Sequence, residues 1–344
     1  MRAAVVERPG ELRIRTLSPP TPGPYQVVTE QLFGAICAAT DRHLVAGKLP
    51  IPGIRYPLIL GHESIGRVVE LGPKVRHLKP GDLVTRTGAP ETDGCLPFWG
   101  GFATAGIAHD VQAMQDDGLP EADWAPHAIN RKLPPGTDPA AATMMITWRE
   151  TLSYLTRLGE VKDARLLVLG SGGNGFSFLA LARALGAAAV AMIGNPALED
   201  RAVQAGASGF ADYRDPEAIA GLRTVAGPRG FDLLVDAVGH SCGIEAVLAL
   251  LAPGAAIGLY GIEALGERMA ALREIAARGF RVQGPGDYAE AEAHDRAVAM
   301  LEAGLLDASL WFDLAHPFPL DGIAEAFAAI AARQSLKALV RIAS

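Results

Sequence analysis

Apolar residues fall along this chain in two rhythms. Over roughly the first 140 residues they come in short runs, Val68-Val69 and Leu83-Val84 among them, broken by Pro19-Pro20, Pro22-Gly23-Pro24, residues 50–53 and Pro80-Gly81. Short runs between turn residues predict β-strands, here those of a partly open barrel. From about Thr143 to Gly284 the rhythm changes to alanine-rich helical segments alternating with apolar runs at 166–169, 189–193, 233–236 and 256–260. Continuous apolar runs separated by helices are the pattern of a parallel sheet covered on both faces. Past Tyr288, residues 290–303 and 321–333 read as helices and 337–342 as a strand, while 109–135, with its Asp, Gly and Pro, reads as a loop.

The run at 166–169 breaks into Gly170, Gly172, Gly173, Asn174 and Gly175 and then enters an apolar segment of helical character, 176–186. Strand, glycine turn and helix in that order form a dinucleotide cradle. Gly170 makes the tight turn, Gly172 admits the pyrophosphate to the backbone, Gly175 lets helix and strand touch, and the helix N-terminus offers N–H groups to the phosphates.

Composition narrows the partners. A length of 344 residues favours two domains. A net charge of -7 with scattered Lys and Arg argues against nucleic acid. Cys37, Cys95 and Cys242 are far apart and odd in number, which suggests a reducing compartment, the cytoplasm, and no disulfide scaffold. Glu7 and Pro9 stand where a signal peptide would carry its apolar core, and the apolar stretch 246–262 contains Pro253-Gly254, so neither export nor a membrane span is expected.

Residues 58–72, LILGHESIGRVVELG, followed by LKPGDLV at 78–84, resemble the medium-chain dehydrogenase/reductase family, the zinc alcohol and polyol dehydrogenases. TDRH at 40–43, GGFA at 100–103, the GSGGNG turn, VDAVG at 235–239 and the closing FPLDGIAEAF and SLKALV extend the likeness over nearly the whole chain. The resemblance implies an α/β protein with a GroES-like partly open β-barrel at 1–142 and 286–344, and a doubly wound Rossmann sheet at 143–285. It implies hydride transfer between a nicotinamide and a secondary alcohol or polyol, or the ketone, in a homodimer or homotetramer.

In such enzymes zinc polarises the alcohol oxygen. The ligands implied here are Cys37, His62 and Glu63, with Asp41 behind the imidazole. Cys37 lies one residue earlier than the family's cysteine, where this chain has Ala38, and a one-residue bulge is needed to bring it back. The slot of another ligand, near residues 143–145, offers neither Cys nor Glu, and Glu150 is a more distant substitute. A zinc-free relative, with His62 and Glu63 as polar cleft residues, therefore stands beside the zinc site. Residues 85–100 contain only Cys95, so no structural zinc is expected there.

Thr40, Asp41 and His43 match the family's proton relay. At the end of the second Rossmann strand Gly194, followed by Asn195, replaces the acid that binds the ribose of NAD, which favours NADP over NAD. Val238, Gly239 and Lys337 complete the implied cofactor contacts, Lys337 as a basic residue on the pyrophosphate. Trp99, Phe98, Trp124 and Trp148 line an apolar pocket or fill the core. Two other functions remain: a zinc-independent NADPH reductase of an activated C=C or C=O bond, with Thr40 or a nearby Tyr as proton donor, and a non-enzymatic dinucleotide-binding protein.

Overall fold

The structure is a computed structural model that describes residues 1–37, 40–49, 53–239, 241–261, 279–332 and 335–343. The chain divides into two units, Met1–Ile146 with Asp307–Ser344, and Thr147–Leu306.

The first unit opens with strands β1 (Arg2–Arg8), β2 (Glu11–Thr16), β3 (Gln26–Ile36), β4 (Leu58–Ile59), β5 (Glu63–Leu71), β6 (Leu83–Thr85), β7 (Leu96–Pro97) and β8 (Ala105–His109). The second unit holds β9 (Arg165–Leu169), β10 (Ala189–Gly194), β11 (Gly209–Asp212), β12 (Phe231–Asp236), β13 (Leu251–Leu259) and β14 (Arg281–Gln283). The chain returns to the first unit for β15 (Phe318–Pro319) and β16 (Ala338–Arg341).

In the first unit one sheet runs β2-β1-β4-β7 and another β15-β16-β3-β5-β6, with β8 also paired to β3. Their alternating positions bury Ala3, Val5 and Ile59 in one cluster and Val27, Val68 and Val84 in another. The second unit is a parallel sheet of order β11-β10-β9-β12-β13-β14. That is the doubly wound order expected from the alternating helices and strands. Leu167, Leu169, Ala191, Ile193, Leu234 and Ile257 sit in one apolar cluster of this unit. Burial on both faces explains why these strands are continuously apolar.

Three local features differ from the sequence expectation. Residues 109–135 are not a plain loop: a helix runs Val111–Asp116, capped by Asp110 Oδ1 on Ala113 N, and another runs Glu121–Trp124. Asp110 followed by an apolar-periodic segment was the signal. The helix expected over 321–333 covers Ile323–Ala331, and Arg333 lies outside the described residues.

The third is the return crossing, at Asp307 and not near residue 286. The cause is Arg149, fully buried on the helix Met145–Leu158, which pairs with buried Glu290 and reaches His294 Nδ1 at 3.2 Å. Arg157 on the same helix reaches Glu292 at 3.2 Å, so the helix His294–Glu302 packs with the second unit.

Candidate active site

Three strand ends meet in the first unit. Ala35 on β3 faces Glu63 on β5, and Ile36 faces Ala338 on β16, so Cys37, Glu63 and Lys337 cluster where these antiparallel strands begin or end. Between Gln31 and Phe33, β3 carries one residue more than β5, a bulge upstream of Cys37.

The side chains form one buried cluster. One ligand atom from each of Cys37, His62 and Glu63 lies within 4.8 Å of the others. Asp41, in the helix Thr40–Ala46, accepts from Cys37 N through Oδ2 at 2.8 Å and places Oδ1 3.3 Å from His62 Nδ1. This directs His62 Nε2 toward Glu63 Oε1, 3.7 Å away. Lys337 Nζ donates to both Glu63 oxygens, at 2.5 and 2.6 Å, and is itself only 2% exposed.

These groups set one another's charge. Burial alone would push the His62 imidazole down, but Asp41 and the Cys37 sulfur hold it well above its ordinary value. Burial likewise opposes ionisation of Cys37, yet the hydrogen bond from His62 and the Lys337 ammonium bring its thiol below the usual value. Lys337 keeps its proton against burial because Glu63, and then Cys37, lie beside it. The cluster is therefore a set of compensating buried charges.

The donor set fits zinc: thiolate, imidazole and carboxylate are its usual ligands, and a tetrahedral ion holds neighbouring ligand atoms roughly 3 to 4 Å apart. Each Glu63 oxygen has a second lone-pair direction, so its bonds to Lys337 do not preclude ligation. The expected slot near 143–145 contributes nothing, since Thr143 Oγ1 donates to Ala140 O at 2.7 Å.

Lys337 is the principal surprise. It was expected on the cofactor pyrophosphate, whereas the structure places its ammonium on Glu63. Arg86 gave no sequence signal as a site residue, whereas Trp99 was expected in an apolar pocket or in the core. Arg86 Nε donates to His62 O at 3.2 Å, its guanidinium lies 5.0 Å from the Trp99 ring centroid, and that ring is 5.2 Å from His62. Thr40 and His43 are half-buried on the helix that carries Asp41. Trp148 is fully buried, whereas Trp99 is exposed. Cys95, in the segment without a zinc lobe, is buried and takes a hydrogen bond from Arg15 Nη1 at 3.2 Å.

The glycine turn expected to cradle a nucleotide lies in the second unit. The helix Gly173–Ala184 begins without a side-chain cap, and Gly172 before it is exposed with open space where a Cβ would stand. A Cβ on Gly175 would lie 1.9 Å from Gly170 O, so helix and strand touch as expected. Asn174, the second residue of this helix, is half-buried. Val238 sits against Gly170, and Asp236 Oδ1 accepts from Val238 N and Gly239 N at 3.0 and 2.8 Å. At the end of β10, Asn195 N donates to Ser171 Oγ at 2.9 Å, and Ser171 fills the space that a side chain at Gly194 would need.

An alcohol dehydrogenase GroES-like domain matches residues 23–120 and a zinc-binding dehydrogenase domain matches 173–299. Sheep (Ovis aries) sorbitol dehydrogenase is 27% identical over 345 residues, covering 98% of this chain and 95% of the relative. The fold is shared with a zinc-binding dehydrogenase of Sinorhizobium meliloti 1021 solved with NADP, at 24% identity and a TM-score of 0.79 over 99% of this chain and 98% of that one. It is shared also with alcohol dehydrogenase TADH of Thermus sp. ATN1, at 22% identity and a TM-score of 0.78 over 99% of both chains. The GroES-like and Rossmann units, with the Cys37–His62–Glu63 group in the first, define an oxidoreductase of the alcohol dehydrogenase class. The chain belongs to the medium-chain dehydrogenase/reductase family. Among its described residues no helix is long and apolar enough to cross a membrane.

Proposed function

We propose that this protein interconverts a secondary alcohol or polyol and its ketone with NADP(H), using a zinc ion held by Cys37, His62 and Glu63. The observation that carries the reading is the convergence of these three donors, with Asp41 fixing the tautomer of His62. Held by these three residues, zinc would supply Lewis acidity toward the substrate oxygen. Cys37 and Glu63 offer a thiol and a carboxyl group to a cation, Lys337 pairs with both Glu63 oxygens, and Asp41 holds the imidazole. Thr40 and His43 are the residues of this unit assigned to proton release. NADP(H) is favoured because Gly194 offers no carboxylate to repel a 2′-phosphate.

One observation favours a second reading. The Lys337 ammonium already balances Glu63 and Cys37, as it would in a metal-independent reductase whose proton donor is Thr40. Metal analysis separates the two. The zinc reading expects about one zinc per chain, and His62→Ala should lose metal and turnover together. Full turnover in metal-free protein, insensitive to chelators and to Cys37→Ser, would establish the reductase instead. The reading includes a cytoplasmic location and a homodimer or homotetramer, the latter measured by light scattering.

A further inference from the structure

The end of β10 carries no charge that could read a ribose substituent. Gly194 closes the strand, and a Cβ there would lie 2.4 Å from both the Cβ and the Oγ of Ser171. Asn195 follows, and its Oδ1 is occupied by Ala197 N at 3.2 Å. Whatever distinguishes one nicotinamide nucleotide from the other must be sought on a neighbouring element.

The neighbour is β11, the edge strand. Asp212 is in register with Gly194, and Tyr213 N donates to Gly194 O at 3.2 Å, which ties the turn after β11 to the end of β10. Both lie at the carboxyl ends of parallel strands, the side on which ligands of such sheets bind. Arg214 comes next, its guanidinium 5.4 Å from the Tyr213 ring centroid.

Asp212 grips that guanidinium along one edge, Nε to Oδ1 at 3.0 Å and Nη2 to Oδ2 at 2.8 Å. Asp212 Oδ1 also accepts from Arg214 N at 3.0 Å, so the carboxylate fixes both the backbone and the head group. A guanidinium has five N–H donors, and this fork uses two of them. The remaining edge is the planar pair of donors that a phosphate takes in bidentate fashion. Arg214 is 61% exposed at its side chain and Tyr213 is 55% exposed, so a ligand can reach both.

We propose that Arg214 is the group that recognises the 2′-phosphate of NADP, so that the end of β11 supplies the attractive contact while Gly194 at the end of β10 only withholds a repelling carboxylate. The inference rests on the NADP(H) reading above. Binding can be followed by calorimetry with NADP⁺, NAD⁺, adenosine 2′,5′-bisphosphate and 5′-AMP, without turnover. Arg214→Ala should weaken NADP⁺ and the bisphosphate by about tenfold or more while leaving NAD⁺ and 5′-AMP within about twofold, and Arg214→Lys should recover part of the loss. Wild-type affinity for NADP⁺ with an Arg214→Ala variant that binds it equally well would overturn the assignment alone. A variant that loses all four ligands together would overturn it too, since Arg214 would then be only a structural strut. A wild-type protein that ignores NADP⁺ would overturn both the cofactor reading and the inference.

Discussion

Lys337 shows how much a single side chain can carry when it is buried. Its ammonium is 2% exposed and bonded to both oxygens of Glu63, with Cys37 beside it. Removing one member of a buried ion pair leaves an uncompensated charge, which typically costs about 3–5 kcal/mol. Lys337→Met should therefore destabilise the metal-free protein by about that amount in urea unfolding. Glu63→Gln combined with Lys337→Met should recover most of the loss, because the stranded carboxylate is gone too. Equal stability of wild type and Lys337→Met would show that Glu63 is protonated or solvated in the folded protein. The sequence marked Lys337 as basic and well placed in the closing motif, but its partner lies 274 residues away, and only the pairing of β3 with β5 and β16 brings the two together.

At the scale of elements, the turn from β9 into the helix Gly173–Ala184 separates two kinds of glycine. Gly172 faces open space, whereas Gly175 lies against the Gly170 carbonyl. Gly172→Val should fold normally and lose nucleotide binding, while Gly175→Val should lose much of its folded population, since a backbone carbonyl cannot move aside as a side-chain end can. Circular dichroism and nucleotide titration on the two variants distinguish the cases, and nucleotide binding by folded Gly172→Val would remove the phosphate from this turn.

The end of β8 offers a pH test. His109 stacks on His127 with ring centroids 3.5 Å apart and receives Gln26 Nε2 at 3.0 Å. Burial, with the neighbouring His127, lowers its pKa from 6.5 to about 4. The unfolded chain takes up this proton near the ordinary value and the folded protein only near 4. The stabilisation is thus complete above pH 6.5 and is lost as pH falls to about 4, at most about 3 kcal/mol in all. His109→Gln should flatten the fall in stability over that window. An unchanged slope would mean that His109 titrates normally.

For the whole molecule, a ligand that binds only the folded chain stabilises it by mass action. A nucleotide at a hundredfold its Kd should add about 2.7 kcal/mol to unfolding of the part that binds it. NADP⁺ should raise the melting temperature of the wild type at concentrations where NAD⁺ has equal or smaller effect, and neither should shift Gly172→Val. A larger shift with NAD⁺ would contradict the preference drawn from Gly194. The comparison uses the intact chain, since the first unit is built from both of its ends.

What the sequence determined by itself is what short-range chemistry encodes. The apolar runs specified the parallel strands, the glycine spacing specified the strand–turn–helix, and motif order specified the two-unit plan, because each depends on short-range pattern along the chain. Cys37, His62, Glu63 and Asp41 were legible as a group through the family resemblance, despite the displaced cysteine. The tertiary structure decided what depends on distant segments meeting. It put Lys337 on Glu63, Arg86 behind His62, Ser171 in the space beside Gly194, and Arg149 on Glu290, which carries the helix His294–Glu302 into the second unit. None of these pairings has a local signature, since a buried charge chooses its partner by proximity in the folded chain and not by spacing along it.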